Sequence, residues 1–327
     1  MTLLRTVLAT GLLLGALPVS AEDAPSLSTA QDIQAWKARH TNWRRWGAED
    51  QLGAANLITR DKRKQAAKLV RDGVSVSIAH TVETQKAADV PSPLEHDMLT
   101  SGEPDSSTYS SDRLSIGYHG WSHTHIDALC HIFAEGQMYN GYPQGRVNAQ
   151  GCAVLSINAL RDGLLTRGVL IDMPALLGVP YLEPGTPITA KDLDAWEKKT
   201  QVRVTPGDAV IVRTGRWARR AAVGPWDVSQ HSPGLHASTA EWFRQRGVAV
   251  VATDVGADVM PSGVDGVVMP IHRMLIHTLG VYLIDNADPE ALSRAAAERR
   301  RYDFLFTLAP LAVDGGTGSP ANPIATF

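Results

Sequence analysis

Four of the chain's eleven histidines fall between positions 119 and 131: His119, His123, His125 and His131, with Asp127 among them. Neutral imidazole and carboxylate are the usual ligands of zinc and similar divalent ions. Residue types of this kind at this density point to a metal centre rather than to hydrogen-bonded core histidines. On an extended segment, residues two apart face the same side, so His123, His125 and Asp127 are expected to project together toward one ion. An ion held by three protein ligands keeps positions open for water and can lower the pKa of that water from about 15.7 to about 7. The chemistry implied is attack on a polarised carbonyl. Competing chemistries leave no comparable signature: the Gly-x-Ser-x-Gly elbow of a serine hydrolase is missing from the sequence. No glycine-rich phosphate loop follows a strand pattern. Cys130, beside His131, is weighed as a thiol nucleophile, but no other feature singles it out.

The elements that must position these residues alternate along the chain. Helical patterns cover residues 29–40, 59–73, 189–199, 238–247, 271–278 and 289–299. Asp192 and Glu241 stand in capping-box positions for two of them. Short β-branched runs bounded by turn residues read as strands at 74–80, 168–172, 208–213, 248–254 and 281–285. Strands interleaved with helices predict an α/β fold, with a mixed sheet or barrel-like core flanked by helices. Residues 83–112 are polar and aperiodic and lead into the histidine cluster, which reads as an active-site flap.

Residues 1–21 have the order of a secretory signal: Arg5, an apolar run over 7–17, then Pro18-Val19-Ser20-Ala21. The run is too short for a membrane anchor, and nothing later is apolar enough to span a bilayer. The expectation is an exported protein, periplasmic if the source is Gram-negative, with residues 22–327 forming one domain. A formal charge of −3 argues against nucleic-acid binding. Cys130 and Cys152 are the only cysteines, and an oxidising compartment permits a bond between them.

Residues 124–131 (THIDALCH) resemble the core of the HxGTHxDxPxH signature of the cyclase family, a superfamily that includes bacterial kynurenine formamidases and isatin hydrolases. Further similarity lies at Trp46-Gly47, residues 50–54 (DQLGA) and 56–59 (NLIT), at 167–172 (RGVLID), at Gly207-Asp208, Arg213-Thr214-Gly215 and Thr253-Asp254, and in the close 315–323 (GGTGSPANP). The resemblance implies metal ligation by His125 and Asp127 and an acid/base role for His131, whose imidazole suits proton transfer near neutral pH. Three positions depart from the signature: Trp121 replaces its first histidine, His123 its glycine and Leu129 its proline. His123, or His119 folded back by a turn at Gly120, could supply the missing ligand. A second family region falls on His272 and Asp285, the latter a methylene shorter than the family's glutamate, which bears on any second metal position. The implied activity is divalent-metal-dependent hydrolysis of a C–N bond in a small amide, formamide or cyclic amide, with zinc or manganese as the metal and a homo-oligomeric assembly. The alternatives are a metal-dependent lyase or cyclase, and a non-catalytic exported binding protein.

Overall fold

The computed structural model describes residues 27–103 and 108–327; the signal segment expected at 1–21 lies outside them. A single mixed nine-stranded sheet curls into a half-barrel flanked by helices. In chain order its strands are β1 (Ser75–Ser77), β2 (His125–Asp127), β3 (Leu164–Asp172), β4 (Ala209–Arg213), β5 (Val250–Thr253), β6 (Tyr282–Asp285), β7 (Asp303–Leu308), β8 (Gly318–Pro320) and β9 (Ile324–Thr326). Their spatial order is β1-β9-β7-β3-β4-β5-β6-β2-β8. The central four, β3 to β6, run parallel. Pairing is antiparallel on both flanks. Residues of β4 and β5 are buried throughout, which is why their sequences are β-branched runs rather than alternations.

The expected helices form, at Ala30–His40, Arg60–Ala67, Ala190–Thr200, Thr239–Arg246 and Glu290–Arg299. At the start of the third, the Thr189 backbone and hydroxyl both donate to Asp192. The capping box expected at Glu241 is not made: its carboxylate instead accepts from the Trp36 indole and from Arg244. The expected helix over 271–278 is a short α-turn, Pro270–His272, continuing as a π-helix, Arg273–Leu279. Among the described residues no helix is long and apolar enough to cross a membrane.

One further expectation changes, and one open question is answered. The aperiodic stretch at 83–112 contains a two-stranded hairpin, Glu95–Thr100 with Ser111–Ser115, nearly all of it exposed. With neither face buried, no apolar alternation was selected to announce it. Cys130 and Cys152 form a disulfide with Cα atoms 6.4 Å apart, so Cys130 has no free thiol to act as a nucleophile.

Register, more than sequence proximity, assembles the site. β2 lies between β6 and β8, with Asp285 directly opposite His125 and Gly318 opposite Asp127. Residues directly opposite in an antiparallel pair have Cβ atoms roughly 5 Å apart. A slip of one residue would send His125 and Asp127 to the other face.

Candidate metal centre

Asp127 is the hub. Its Oδ1 lies 3.1 Å from His119 Nδ1, 3.5 Å from His125 Nε2 and 3.9 Å from His131 Nε2. His272 Nε2 is 3.8 Å from its Oδ2 and 3.2 Å from Asp285 Oδ2. Among the described residues two groups have ligand atoms within 4.8 Å of one another: His119, Asp127 and His131, and His125, Asp127 and Asp285. Asp127 belongs to both.

Six of the seven predicted site residues are therefore brought together, and His123 is not. Strand geometry begins only at His125, so two-residue alternation does not reach back to 123. The His123 ring packs with its Nε2 3.0 Å from the Ser92 carbonyl and lines a separate cavity with His80 and Thr124. Its contribution is through the backbone: its carbonyl accepts from His125 Nδ1 at 2.8 Å, which turns Nε2 toward Asp127, 3.5 Å from Oδ1. His119, not His123, stands in the cluster beside Asp127. Gly120, at φ +115°, allows the reversal. The reversed turn is clamped by Asn286 Nδ2, which donates to the carbonyls of Gly120 and His123. Fully buried Arg216 completes the clamp, donating to Asn286 Oδ1 and the Trp121 carbonyl. His119 Nε2 lies 2.9 Å from Thr317 Oγ1, which directs Nδ1 inward. The rings of His119 and His131 stack in parallel, 4.0 Å apart. They are the partly exposed side of an otherwise buried cluster, at 29% and 27% side-chain exposure against 1% for Asp127.

Sequence reasoning missed Asp258. This buried carboxylate holds His272 Nδ1 at 2.6 Å and accepts the backbone N–H groups of Ile271 and His272. A carboxylate behind a histidine fixes its tautomer and raises its basicity toward a metal. The available signal was a second aspartate four residues beyond Asp254 at the end of a buried strand, which carries no motif of its own.

The electrostatics favour a cation. Burial would push the Asp127 carboxyl up, but the imidazoles of His131, His119 and His125 outweigh it and hold the group well below the usual carboxylate range. Burial works against charge on His272 too, yet Asp285 and Asp258 raise it well above an ordinary imidazole. His125 is raised by Asp127 and Asp285 against its own burial. His131 goes the other way, lowered first by burial and then by the surrounding imidazoles, with Asp127 opposing. Both Asp127 oxygens, Asp285 Oδ1 and His119 Nδ1 are buried without a hydrogen-bond partner. Unsatisfied buried carboxylate oxygens are costly, and His125, Asp127 and Asp285, with ligand atoms within 4.8 Å of one another, fit a divalent ion with His/carboxylate ligation.

The curled mixed sheet with this His/Asp cluster at its edge defines a cyclase-fold protein carrying a candidate metal centre. The chain belongs to the cyclase family: residues 74–258 match the Cyclase family model ("Putative cyclase"). It is similar to a crystal structure described as a novel cyclase, at 30% identity and a TM-score of 0.79, covering 89% of this chain and 99% of that one. The fold is shared with isatin hydrolase A from Ralstonia solanacearum, at 20% identity and a TM-score of 0.57 over 80% of this chain and 93% of that one. Isatin hydrolase A from Labrenzia aggregata, bound to benzyl benzoate, gives 20% identity and a TM-score of 0.55 over 80% and 94%. Among curated proteins no sequence matches.

Proposed function

We propose that this chain is a divalent-metal-dependent hydrolase that cleaves a C–N bond in a small amide, formamide or cyclic amide. The observation that carries the reading is the set of partnerless buried oxygens on Asp127 and Asp285 inside a ring of imidazole nitrogens. The shared fold with isatin hydrolases supports hydrolysis as the reaction class. His125, Asp127 and Asp285 would hold the ion, with His272 beside them and His119 on the other side of Asp127, leaving His131 free of it. Zinc or manganese suits this donor set.

When bound, the ion supplies a Lewis acid that polarises a carbonyl and acidifies water. The chain's own residues do the rest. Asp258 engages Nδ1 of His272, so that with an ion in place Nε2 would offer its lone pair to the ion rather than a proton to Asp285. The His123 carbonyl does the same for His125. His131, neutral because burial depresses its pKa and partly open to solvent, accepts a proton from the attacking water and returns it to the leaving nitrogen. Acid/base help of this kind is worth about 10² to 10⁴ in rate. Export, expected from residues 1–21, is supported by the Cys130–Cys152 bond, since disulfides persist in oxidising compartments.

The test is a panel of N-formyl arylamines and cyclic imides, assayed before and after chelation, with product analysis in ¹⁸O-water. Activity lost to chelator, restored by zinc or manganese, and one ¹⁸O per product are expected. Asp127→Ala should abolish metal and activity together. His131→Ala should leave the His125 group and its metal in place while turnover falls by roughly 10² to 10⁴. Product free of ¹⁸O would indicate a lyase or cyclase, and fully active metal-free Asp127→Ala protein would end the proposal.

A further inference from the structure

A cavity of ≈ 230 Å³ opens beside the cluster, lined by Ile132, Phe133, Gly266, Val268, Met269, His272 and Arg273. His272 is common to this cavity and to the candidate metal centre. Its walls are aromatic and aliphatic, with Phe133 and Val268 left 42% and 66% exposed. Among the described residues no carboxylate lines it. Among the described lining residues Arg273 is the one arginine or lysine; it is exposed and, among the described residues, has no ion pair. Arg167, Arg213, Arg216 and Arg246, by contrast, are each matched to a carboxylate. An unmatched guanidinium at the rim of an apolar cavity is a fork for an anion, since its planar donors suit a carboxylate bidentately. The volume lies below the roughly 300 Å³ at which drug-sized sites begin, which suits a single substituted ring.

We infer that this cavity selects an anionic substrate: a small amide on an aromatic or compact apolar body that carries a carboxylate, with the carboxylate held by Arg273 and the body packed on Phe133, Val268 and Met269. The word amide rests on the hydrolase reading, whereas anion selection by Arg273 does not. The two are separated by measuring binding apart from turnover. Calorimetric titration of benzoate and of its neutral isostere benzamide is made on wild-type and Arg273→Gln protein, with and without metal. Benzoate should bind wild type at least about 10-fold more tightly than benzamide, the scale of a charge-assisted hydrogen bond at a partly exposed site, and Arg273→Gln should erase the difference. Equal affinities in wild type, or a preference that survives Arg273→Gln, would overturn the inference. In kinetics, Arg273→Gln should raise KM about 10-fold for 2-formamidobenzoate and leave formanilide unchanged. If neither amide turns over while benzoate discrimination still depends on Arg273, the anion site stands and the hydrolase reading falls.

Discussion

Replacing Asp258 with asparagine separates metal tuning from mere structural support. Asp258 is fully buried and its two oxygens accept three N–H groups: Ile271 N at 2.7 Å, His272 N at 3.3 Å and His272 Nδ1 at 2.6 Å. An amide keeps one acceptor oxygen, which can serve the backbone pair. Its NH₂ then meets His272 Nδ1, and the ring escapes donor–donor conflict only by moving its proton to Nε2. That proton points at Asp285 Oδ2, 3.2 Å away, and removes the lone pair that faces the ion. Loss of such a carboxylate behind a ligand histidine typically costs 10- to 100-fold in metal affinity. The weakened backbone acceptor costs a further ~1 to 3 kcal/mol of stability. Competitive titration against a chromophoric chelator reads the first quantity and thermal melting of the metal-free protein the second. A purely structural role would lower the melting temperature and leave the chelator curves superposed. Superposed curves would refute the assignment.

The remaining predictions concern stability. His277 is buried against Trp43, and burial together with Lys37 lowers its pKa to about 4. It is neutral in the fold, while the unfolded chain takes up the proton near 6.5. Its contribution is therefore fully present above pH 6.5 and is lost as pH falls toward 4, by up to ~3 kcal/mol. Urea unfolding of His277→Phe should show a shallower acid limb, and an unchanged limb would count against this placement. The Cys130–Cys152 bond closes a loop of 22 positions, which chain entropy values at about 3 kcal/mol. Reduction should lower Tm by several degrees, as read by calorimetry with and without dithiothreitol; an unchanged Tm would mean that the bond adds nothing to stability.

The strands and helices were largely legible because their burial leaves a pattern: buried parallel strands read as β-branched runs at 209–213 and 250–253, and the Thr189–Asp192 cap reads as itself. The failures have physical causes. Glu241 has the spacing of a capping residue, but tertiary contact with Trp36 captures its carboxylate. The hairpin over Glu95–Thr100 and Ser111–Ser115 buries neither face, so it writes no periodicity. Within the site, His125, Asp127 and His131 carry the cluster's own density. The choice between His119 and His123 depended on where the strand begins and on a glycine reversal held by Asn286 and Arg216, contacts spanning more than 90 positions. Asp258 acts through a histidine 14 residues away, a relation no local spacing encodes.

Anomalous diffraction from crystals grown with zinc or manganese tests the central claim most directly. The account predicts a peak within coordination distance of Asp127, contacted by imidazole nitrogens from His119 or His125, and absent from Asp127→Ala crystals. Wild-type crystals in which no peak forms, with the same imidazoles donating straight to the Asp127 oxygens, would contradict it.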